Sequence, residues 1–252
     1  MSNFSSVATE ICINTDQNLA QSVEAAYISG ANRVELCRSM EQDGLSPTPT
    51  DLETARKHFR DRVGLLSMIR PHANGFFYSQ NDIICMKEQI ESAHLANADG
   101  IVLGLLNASS SHLDLPSLEL LIGYARDFGM KVTFHRAFEA LPQKTWLQNL
   151  DVLIELGVDR LLFSGVPWSQ SGDAVKGLKN IKKLVFHAES RIEIVIGGGV
   201  HCGNVKKILH EIPQAYYPHI SIHSYSGCQK NGKTTNNSVK NFINCIKAIH
   251  PI

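Results

Sequence analysis

The 252-residue chain has no net charge, because 24 Lys and Arg residues balance 24 Asp and Glu residues. It also has no basic run, so a nucleic-acid partner is not expected. No apolar run approaches the ~18 residues that a membrane span requires. Residues 1–6 are polar and lack the apolar core of a secretory signal. We therefore expect a cytoplasmic protein that does not contact a membrane.

The sequence has no CxxC pair. Its six cysteines are widely scattered, at positions 12, 37, 85, 202, 228 and 245. In a chain of this length, that pattern favours free thiols in a reducing compartment over a disulfide framework.

Internal similarity shows how the chain is organised. The segment Gly30–Leu36 resembles Gly157–Phe163, and Asn97–Leu103 is a weaker third copy. Each copy reads as a helix end, a tight turn and the start of a strand, with Gly or Asn suited to the helix C-terminus. Successive copies lie about two βα units apart, which predicts parallel strands joined by crossover helices.

The pattern predicts eight strands with helical segments between them. The strands are expected at 7–13, 32–37, 64–70, 99–104, 130–135, 159–164, 191–197 and 216–223. The clearest helical segments are 17–29, 82–96, 115–128 and 236–249. Eight βα units in this length predict one (β/α)8 TIM-barrel domain over residues 1–252.

The rival architecture is an open, doubly wound sheet, whose strands should be apolar on both faces. Several strands alternate instead: the last one sets Ile220 and Ile222 against His219, Ser221 and His223. A barrel explains this alternation, with the apolar set facing the helices and the polar set facing the interior. The absence of GxGxxG and GxxxxGK[ST] loops after the first strand also weakens the dinucleotide-binding alternative.

Polar side chains at the C-terminal ends of barrel strands share one mouth, where barrel active sites lie. The inward candidates are Glu10, Glu35, Arg70, His135, Arg136, Ser164 and His219. The alternative is an ion-pair network that only fills the barrel, since buried charges need partners. Arg33 and Arg160 begin their strands and are expected at the opposite end, in a structural role.

His135 and Arg70 are the main candidates for chemistry. A neighbouring carboxylate would tune His135 for general acid or base catalysis near neutral pH. Alternatively, His135 only satisfies Glu10 or Glu35. Arg70, followed by Pro71, suits a carboxylate or phosphate ligand, although a salt bridge to Glu35 would explain it equally well.

Glycine-rich turns end the sixth and seventh strands. Their backbone N–H groups are suited to an anion, which barrels often bind near strands seven and eight. Tight packing at the mouth would also require glycine. The candidate ligand- or anion-binding residues are Ser164, Gly165, Gly198, Gly199, His219 and Ser221.

Cys12 and Cys37 each follow an inward glutamate by two residues on adjacent strands. Two thiolates side by side would suit a soft ion such as Cu(I). Buried cysteines are more often small apolar residues, so this metal site stays a hypothesis. His201, Cys202, His219 and His223 are further, weaker ligand candidates.

Taken together, these motifs resemble the copper homeostasis protein CutC family. The matching segments, in family order, are Glu10–Cys12, Gly30–Cys37, Gly44–Pro47, Met68–Pro71 with Tyr78, Phe134–Phe138, Ser164–Gly165, Gly197–Val200 with Asn204, and His219–Ser221. The resemblance implies a (β/α)8 barrel, a cytoplasmic setting and a role in copper tolerance or trafficking. It implies no particular catalytic activity.

The chain also departs from the family pattern. The RPRxGDF segment reads Arg70-Pro-His-Ala-Asn-Gly-Phe76. His72 stands in place of the second Arg, Asn74 in place of the Gly and Gly75 in place of the Asp. Asp43 replaces a Gly, Phe163 a Thr, and Glu139 an Asp. These changes cluster in loops at the mouth, so we expect an intact inner site with altered specificity.

Three functional hypotheses follow. The first is a cytoplasmic protein that binds Cu(I) through Cys12 and Cys37. The second is a barrel enzyme (a lyase, isomerase or hydrolase) acting on a small anionic metabolite, with Glu10, Glu35, Arg70, His135 and Arg136 as catalytic candidates. The third is a barrel without catalysis that serves as a binding scaffold or homodimer.

Overall fold

The computed structural model of the chain describes residues 7–230 and 232–249. Eight parallel strands pair in sequence order, and the sheet closes between β8 and β1. The strands are β1 Ala8–Asn14, β2 Arg33–Cys37, β3 Leu65–Met68, β4 Gly100–Leu103, β5 Lys131–Phe134, β6 Arg160–Phe163, β7 Glu193–Ile196 and β8 Ile220–Ser224. A short antiparallel hairpin of β9 (Gln229–Lys230) and β10 (Lys233–Thr234) follows.

Helices separate the strands and surround the barrel. They are α1 Leu19–Ser29, α2 Pro49–Phe59, α3 Gln80–Leu95, α4 Leu115–Asp127, α5 Trp146–Glu155, α6 Leu178–Ala188, α7 Cys202–His210 and α8 Asn236–Lys247. The predicted (β/α)8 barrel is therefore confirmed. Among the described residues, no helix has the length and apolar character needed to cross a membrane.

Local sequence signals explain where the helices begin and end. Thr48 accepts a hydrogen bond from Asp51 N–H while the Asp51 carboxylate accepts one from Thr48 N–H, a reciprocal cap at the start of α2. Ser79 and Asp82 cap α3 in the same way. Gly30 ends α1 at φ 85°, a left-handed conformation that glycine adopts without steric cost. The repeated helix–turn–strand segments are thus βα-unit boundaries.

The alternation of side chains separates two cores. Ile11, Ile13 and the apolar residues of like parity pack in the large layer between strands and helices. The residues of opposite parity face the barrel interior, where Cys12 and Cys37 form a smaller cluster with Leu66, Met68 and Val102. The predicted inward and outward sets are confirmed for these strands.

The last strand begins later than predicted. Residues Gln214–His219 form a 3₁₀ helix, and β8 starts only at Ile220. Pro218 lies inside that helix, and it has no N–H to donate to a neighbouring strand. His219 and Ser221 therefore lie at the base of the barrel, and the expectation that they reach the mouth is wrong.

A disulfide joins α7 to α8, between Cys202 and Cys245. The prediction of free thiols holds for Cys12, Cys37, Cys85 and Cys228 but is wrong for this pair. The two cysteines are 43 residues apart in sequence. They meet because neighbouring helices of the barrel's outer ring pack side by side, a contact that cysteine spacing does not reveal.

An ionic cluster fills the base of the barrel. Arg33 Nε donates to Glu10 Oε2 at 2.8 Å, and Arg33 Nη2 donates to Glu193 Oε1 at 2.5 Å and to Ser221 Oγ at 2.6 Å. Arg160 Nε donates to Thr133 Oγ1 at 3.0 Å in the same interior. Arg33 and Arg160 thus have the structural positions expected of them.

Replacing Arg33 by Met should lower the free energy of unfolding by about 3–5 kcal/mol, because it leaves the buried Glu10 carboxylate and Glu193 without their cation. Urea denaturation measures this loss. The control is Arg191→Met, whose partner Asp151 is 39% exposed and which should change stability by less than about 1 kcal/mol. Equal, small losses in both variants would contradict a stabilising role for the cluster.

Candidate functional site

A cavity of about 270 Å³ lies at the C-terminal ends of the barrel strands. Residues from β1, β2 and β8 line one wall, and residues that follow β3 and β5 line the facing wall. The residues that define these walls are Cys12, Glu35, Cys37, Arg70, His135 and His223. The mouth cavity thus gathers most of the inward polar candidates from the sequence.

The first wall combines two thiols with an ion pair. Cys12 S–H donates to Cys37 Sγ across 3.9 Å, and Glu35 Oε2 lies 2.8 Å from His223 Nε2. Ligand atoms of Cys12, Glu35 and His223 all lie within 4.8 Å of one another. Strand register explains this, because β1 pairs with both β2 and β8 and Cys12 is level with Glu35.

Burial and the attraction between neighbouring groups together set the charge state of this wall. Burial alone would raise the pKa of Glu35 and lower that of His223, but their mutual attraction outweighs it, so the Glu35 pKa is lowered and the His223 pKa raised. The hydrogen bond to Cys37, together with burial, raises the pKa of Cys12 well above its usual value. For Cys37, the bond from Cys12 lowers the pKa, but burial and Glu35 outweigh it. At neutral pH the wall therefore holds two thiols and one ion pair.

Two methionines add soft donors that the sequence alone did not single out. Met40 and Met68 both line the cavity. A Cβ atom at Gly44 would lie 3.3 Å from Cys37 Sγ and 3.4 Å from Met40 Sδ, so both sulfurs pack close to the Gly44 backbone. Met68 shares its strand parity with Arg70, a signal that could have placed it in the interior.

Arg70 dominates the facing wall. Arg70 is only 3% exposed, and its Nη1 donates to the carbonyls of Gln42 at 2.8 Å and Gly44 at 3.0 Å. Arg70 Nε has no acceptor, and no carboxylate of residues 7–230 or 232–249 lies within 4.0 Å of the side chain. The predicted alternative of an Arg70–Glu35 salt bridge is wrong, because Glu35 pairs with His223.

His135 is buried and neutral. Burial, reinforced by the nearby Arg70 and Arg136 charges, lowers the pKa of His135 to about 3. The expectation that a carboxylate tunes this histidine near neutral pH is therefore wrong. Its Nδ1 accepts the Ala137 N–H at 3.1 Å, so the neutral ring carries its proton on Nε2, for which the described residues provide no acceptor.

Arg136 and Ser164 belong to a local structural network. Arg136 Nη2 lies 2.7 Å from Glu139 Oε2, and Ser164 N–H donates to Glu139 Oε1. Ser164 Oγ accepts from Val166 N–H at 3.2 Å. Arg136 still lines the cavity, but its charge is balanced, whereas Ser164 does not reach the lining.

The predicted glycines divide into two groups. Gly165 does not line the cavity, and it approaches the Gly177 backbone too closely to admit a Cβ. Gly198 and Gly199 do line it, at φ 86° and 70°. Their N–H groups donate to no acceptor within residues 7–230 and 232–249. Of the predicted glycines, only Gly198 and Gly199 remain candidates for binding an anion.

Three other predicted site residues lie away from the cavity. Glu10 faces the interior, but its carboxylate is held by Arg33 at the base. His219 precedes β8, and Ser221 accepts from Arg33. From the sequence alone, His223 is only a weaker ligand candidate. It lines the mouth cavity in place of His219 because it lies four residues nearer the C-terminal end of the strand.

The loops that differ from the family pattern contribute unequally. Asp43 lines the cavity at its exposed rim. His72 does not: its ring lies 4.9 Å from that of Tyr78, and Nε2 is 3.5 Å from Asp82. Asp43 is therefore the loop departure that touches the site directly.

The His135 pKa predicts a specific acid sensitivity. In the unfolded chain, this histidine is protonated below its ordinary pKa of 6.5. In the folded protein, its pKa is lowered to about 3, so it stays neutral over the pH range between these values. The free energy of unfolding should therefore fall as the pH falls through this window, by about 2 kcal/mol at pH 5 from His135 alone.

Urea denaturation at pH 7 and pH 5 checks this, comparing wild type with His135→Gln. The variant should lose about 2 kcal/mol less stability between the two pH values. His210→Gln, at an exposed position of α7, should keep the wild-type difference. An unchanged difference in His135→Gln would show that the buried ring is not the acid-sensitive group.

Comparison with known proteins agrees with this architecture. Residues 7–222 match the CutC family. The chain is 33% identical to the family protein CutC of Vibrio parahaemolyticus over 235 residues, which are 93% of this chain and 85% of that protein. It is 35% identical to the CutC protein of Glaesserella parasuis over 210 residues, covering 82% and 80% of the two chains.

A solved structure shows the same fold. The crystal structure of a CutC protein from Streptococcus agalactiae superposes with a TM-score of 0.75 at 26% identity, covering 87% of this chain and 99% of that one. The extent of the family match and the identity to its members settle the relationship: this chain belongs to the CutC family.

Proposed function

We propose that this protein is a cytoplasmic copper-homeostasis protein that binds Cu(I) as its cargo through Cys12 and Cys37. One observation carries the proposal: the two thiols lie 3.9 Å apart in the mouth cavity. The S. agalactiae relative is provisionally named for copper homeostasis, which supports the same assignment.

The donor set fits a soft ion. Two thiolates that share one ion at about 2.3 Å, the value for zinc, stand roughly 3.8–4.6 Å apart across tetrahedral to linear geometries. The observed separation lies in this range without movement of the strands. Met40 and Met68 offer thioether sulfur nearby, and sulfur ligands select Cu(I) over hard cations.

Charge balance supports monovalent copper. Both thiols are protonated at neutral pH, so binding one ion would release two protons. The resulting dithiolate complex would carry one negative charge. Arg70, whose positive charge lowers the pKa of Cys37, stands beside it to compensate.

Anaerobic Cu(I) titration against a competing chelator tests this function. Cys12→Ala and Cys37→Ala should each weaken affinity at least about a hundredfold, since each removes one of two thiolate ligands. The matched control is Cys85→Ala, a free cysteine on α3 that does not line the cavity. Unchanged affinity in both cavity variants would rule out the thiol pair as the copper site.

A second candidate function is an enzyme that acts on a small anionic metabolite. The cavity volume of about 270 Å³ favours it, because one ion or one water needs only about a tenth of that space. In this candidate the Glu35–His223 pair moves the proton, since His135 does not titrate near neutral pH.

Native mass spectrometry of freshly purified protein tests the second candidate. An organic anion should co-purify with the wild type. It should also co-purify with Glu35→Gln and His223→Asn, unless those changes alter the cavity. Its exchange for a product of different mass on incubation would identify turnover. Recovery of metal-loaded protein without any organic ligand would count against this candidate.

A further inference from the structure

We infer that Arg70 and His135 form an anion subsite of the mouth cavity that binds the carboxylate of a small monocarboxylic acid. This inference goes beyond copper binding. It deepens the second candidate function, on which it rests for the presence of a small-molecule ligand.

Arg70 provides the first observation. The residue is 3% exposed, and no carboxylate of the described residues forms a salt bridge with it. A buried unpaired charge is costly to the folded state. The two carbonyls that accept from Nη1 fix its direction. Nε has no acceptor at hydrogen-bond geometry among the described residues, although the Tyr78 hydroxyl lies near the side chain. The arginine is therefore held ready for an anion that the chain itself does not provide.

His135 provides an independent second donor. Its ring is 4% exposed, and the bond from Ala137 N–H to Nδ1 fixes the tautomer. The Nε2–H group is buried without an acceptor. Because the ring is neutral at physiological pH, it adds a hydrogen bond to the subsite but no charge.

Phe76 connects the two donors. The Arg70 guanidinium carbon lies 5.4 Å from the Phe76 ring centroid, and the His135 ring centroid also lies 5.4 Å from it. All three residues line the same cavity. An apolar ring in contact with both donor residues excludes water and strengthens the interaction of the donors with a ligand anion.

Charge determines the class of ligand. Arg136 is neutralised by Glu139, and Glu35 by His223, so Arg70 contributes the one uncompensated positive charge on these walls among the described residues. A monoanion balances it, whereas a phosphate dianion leaves excess negative charge beside Glu35. Two oxygens of one carboxylate match the two free N–H donors.

Equilibrium binding of propionate, followed by calorimetry and ligand-observed NMR, tests the subsite. Propionamide serves as the neutral isostere and inorganic phosphate as the dianionic probe. Propionate should bind at least tenfold more tightly than either. Arg70→Met and His135→Phe should each weaken propionate binding at least tenfold. Arg191→Met should not change it, because Arg191 is an exposed residue of the turn before β7 and does not line the cavity.

Each outcome bears on the subsite. Equal affinity for propionate and propionamide, tighter binding of phosphate, or no effect of either cavity variant would overturn it. Circular dichroism establishes that each variant is folded; if Arg70→Met is not, Arg70→Lys and His135→Phe carry the test, since both remove a directed N–H donor. Propionate binding by a protein whose native mass spectrum shows metal but no organic ligand would support the subsite while contradicting the enzyme candidate.

Discussion

Closure of the sheet between β1 and β8 is the constraint on which the site depends. β1 pairs with β2 on one side and with β8 on the other. Because alternate side chains of each strand must face the interior, closure brings Cys12, Glu35 and His223 together from segments far apart in sequence. Without this pairing, β8 with His223 would lie at the far end of an open sheet from β1 and from β2 with Glu35.

The two ends of the barrel interior handle charge in opposite ways. At the base, Arg33 is matched by Glu10, Glu193 and Ser221, so its donors are satisfied by the chain. At the mouth, Arg70 and His135 each retain a buried N–H without an acceptor. Pairing at the base offsets the cost of burying each charge, whereas unpaired donors at a cavity are free to bind a ligand, which distinguishes a structural end from a functional one.

The sequence was sufficient to predict the barrel because its signals are local and repeated. Helix-ending Gly30 and Gly157 and the alternation around Ile220 and Ile222 follow from backbone sterics and strand geometry. The same alternation correctly turned Cys12 and Glu35 inward. It could not say how far along the barrel axis each side chain lies, because that depends on strand register.

Register and environment account for the wrong expectations. The 3₁₀ helix that contains Pro218 delays β8, which moves His219 to the base and leaves His223 at the mouth. Glu10 is captured by Arg33 from the neighbouring strand. His135 has no carboxylate beside it, and burial lowers its pKa instead. These outcomes depend on contacts between distant segments, which no single stretch of sequence contains.

The filled base determines the end of the barrel from which a ligand can reach the cavity. Arg33 and its partners fill the interior at the base, and Leu66 and Val102 pack with the two thiols in the interior cluster. Among the described residues, the base is filled and the cavity lies at the other end of the barrel, where Asp43 and Trp168 line it. A ligand that enters from this end meets these residues before the thiols, so an occupant of the outer part would block the exchange of one bound at Cys12 and Cys37.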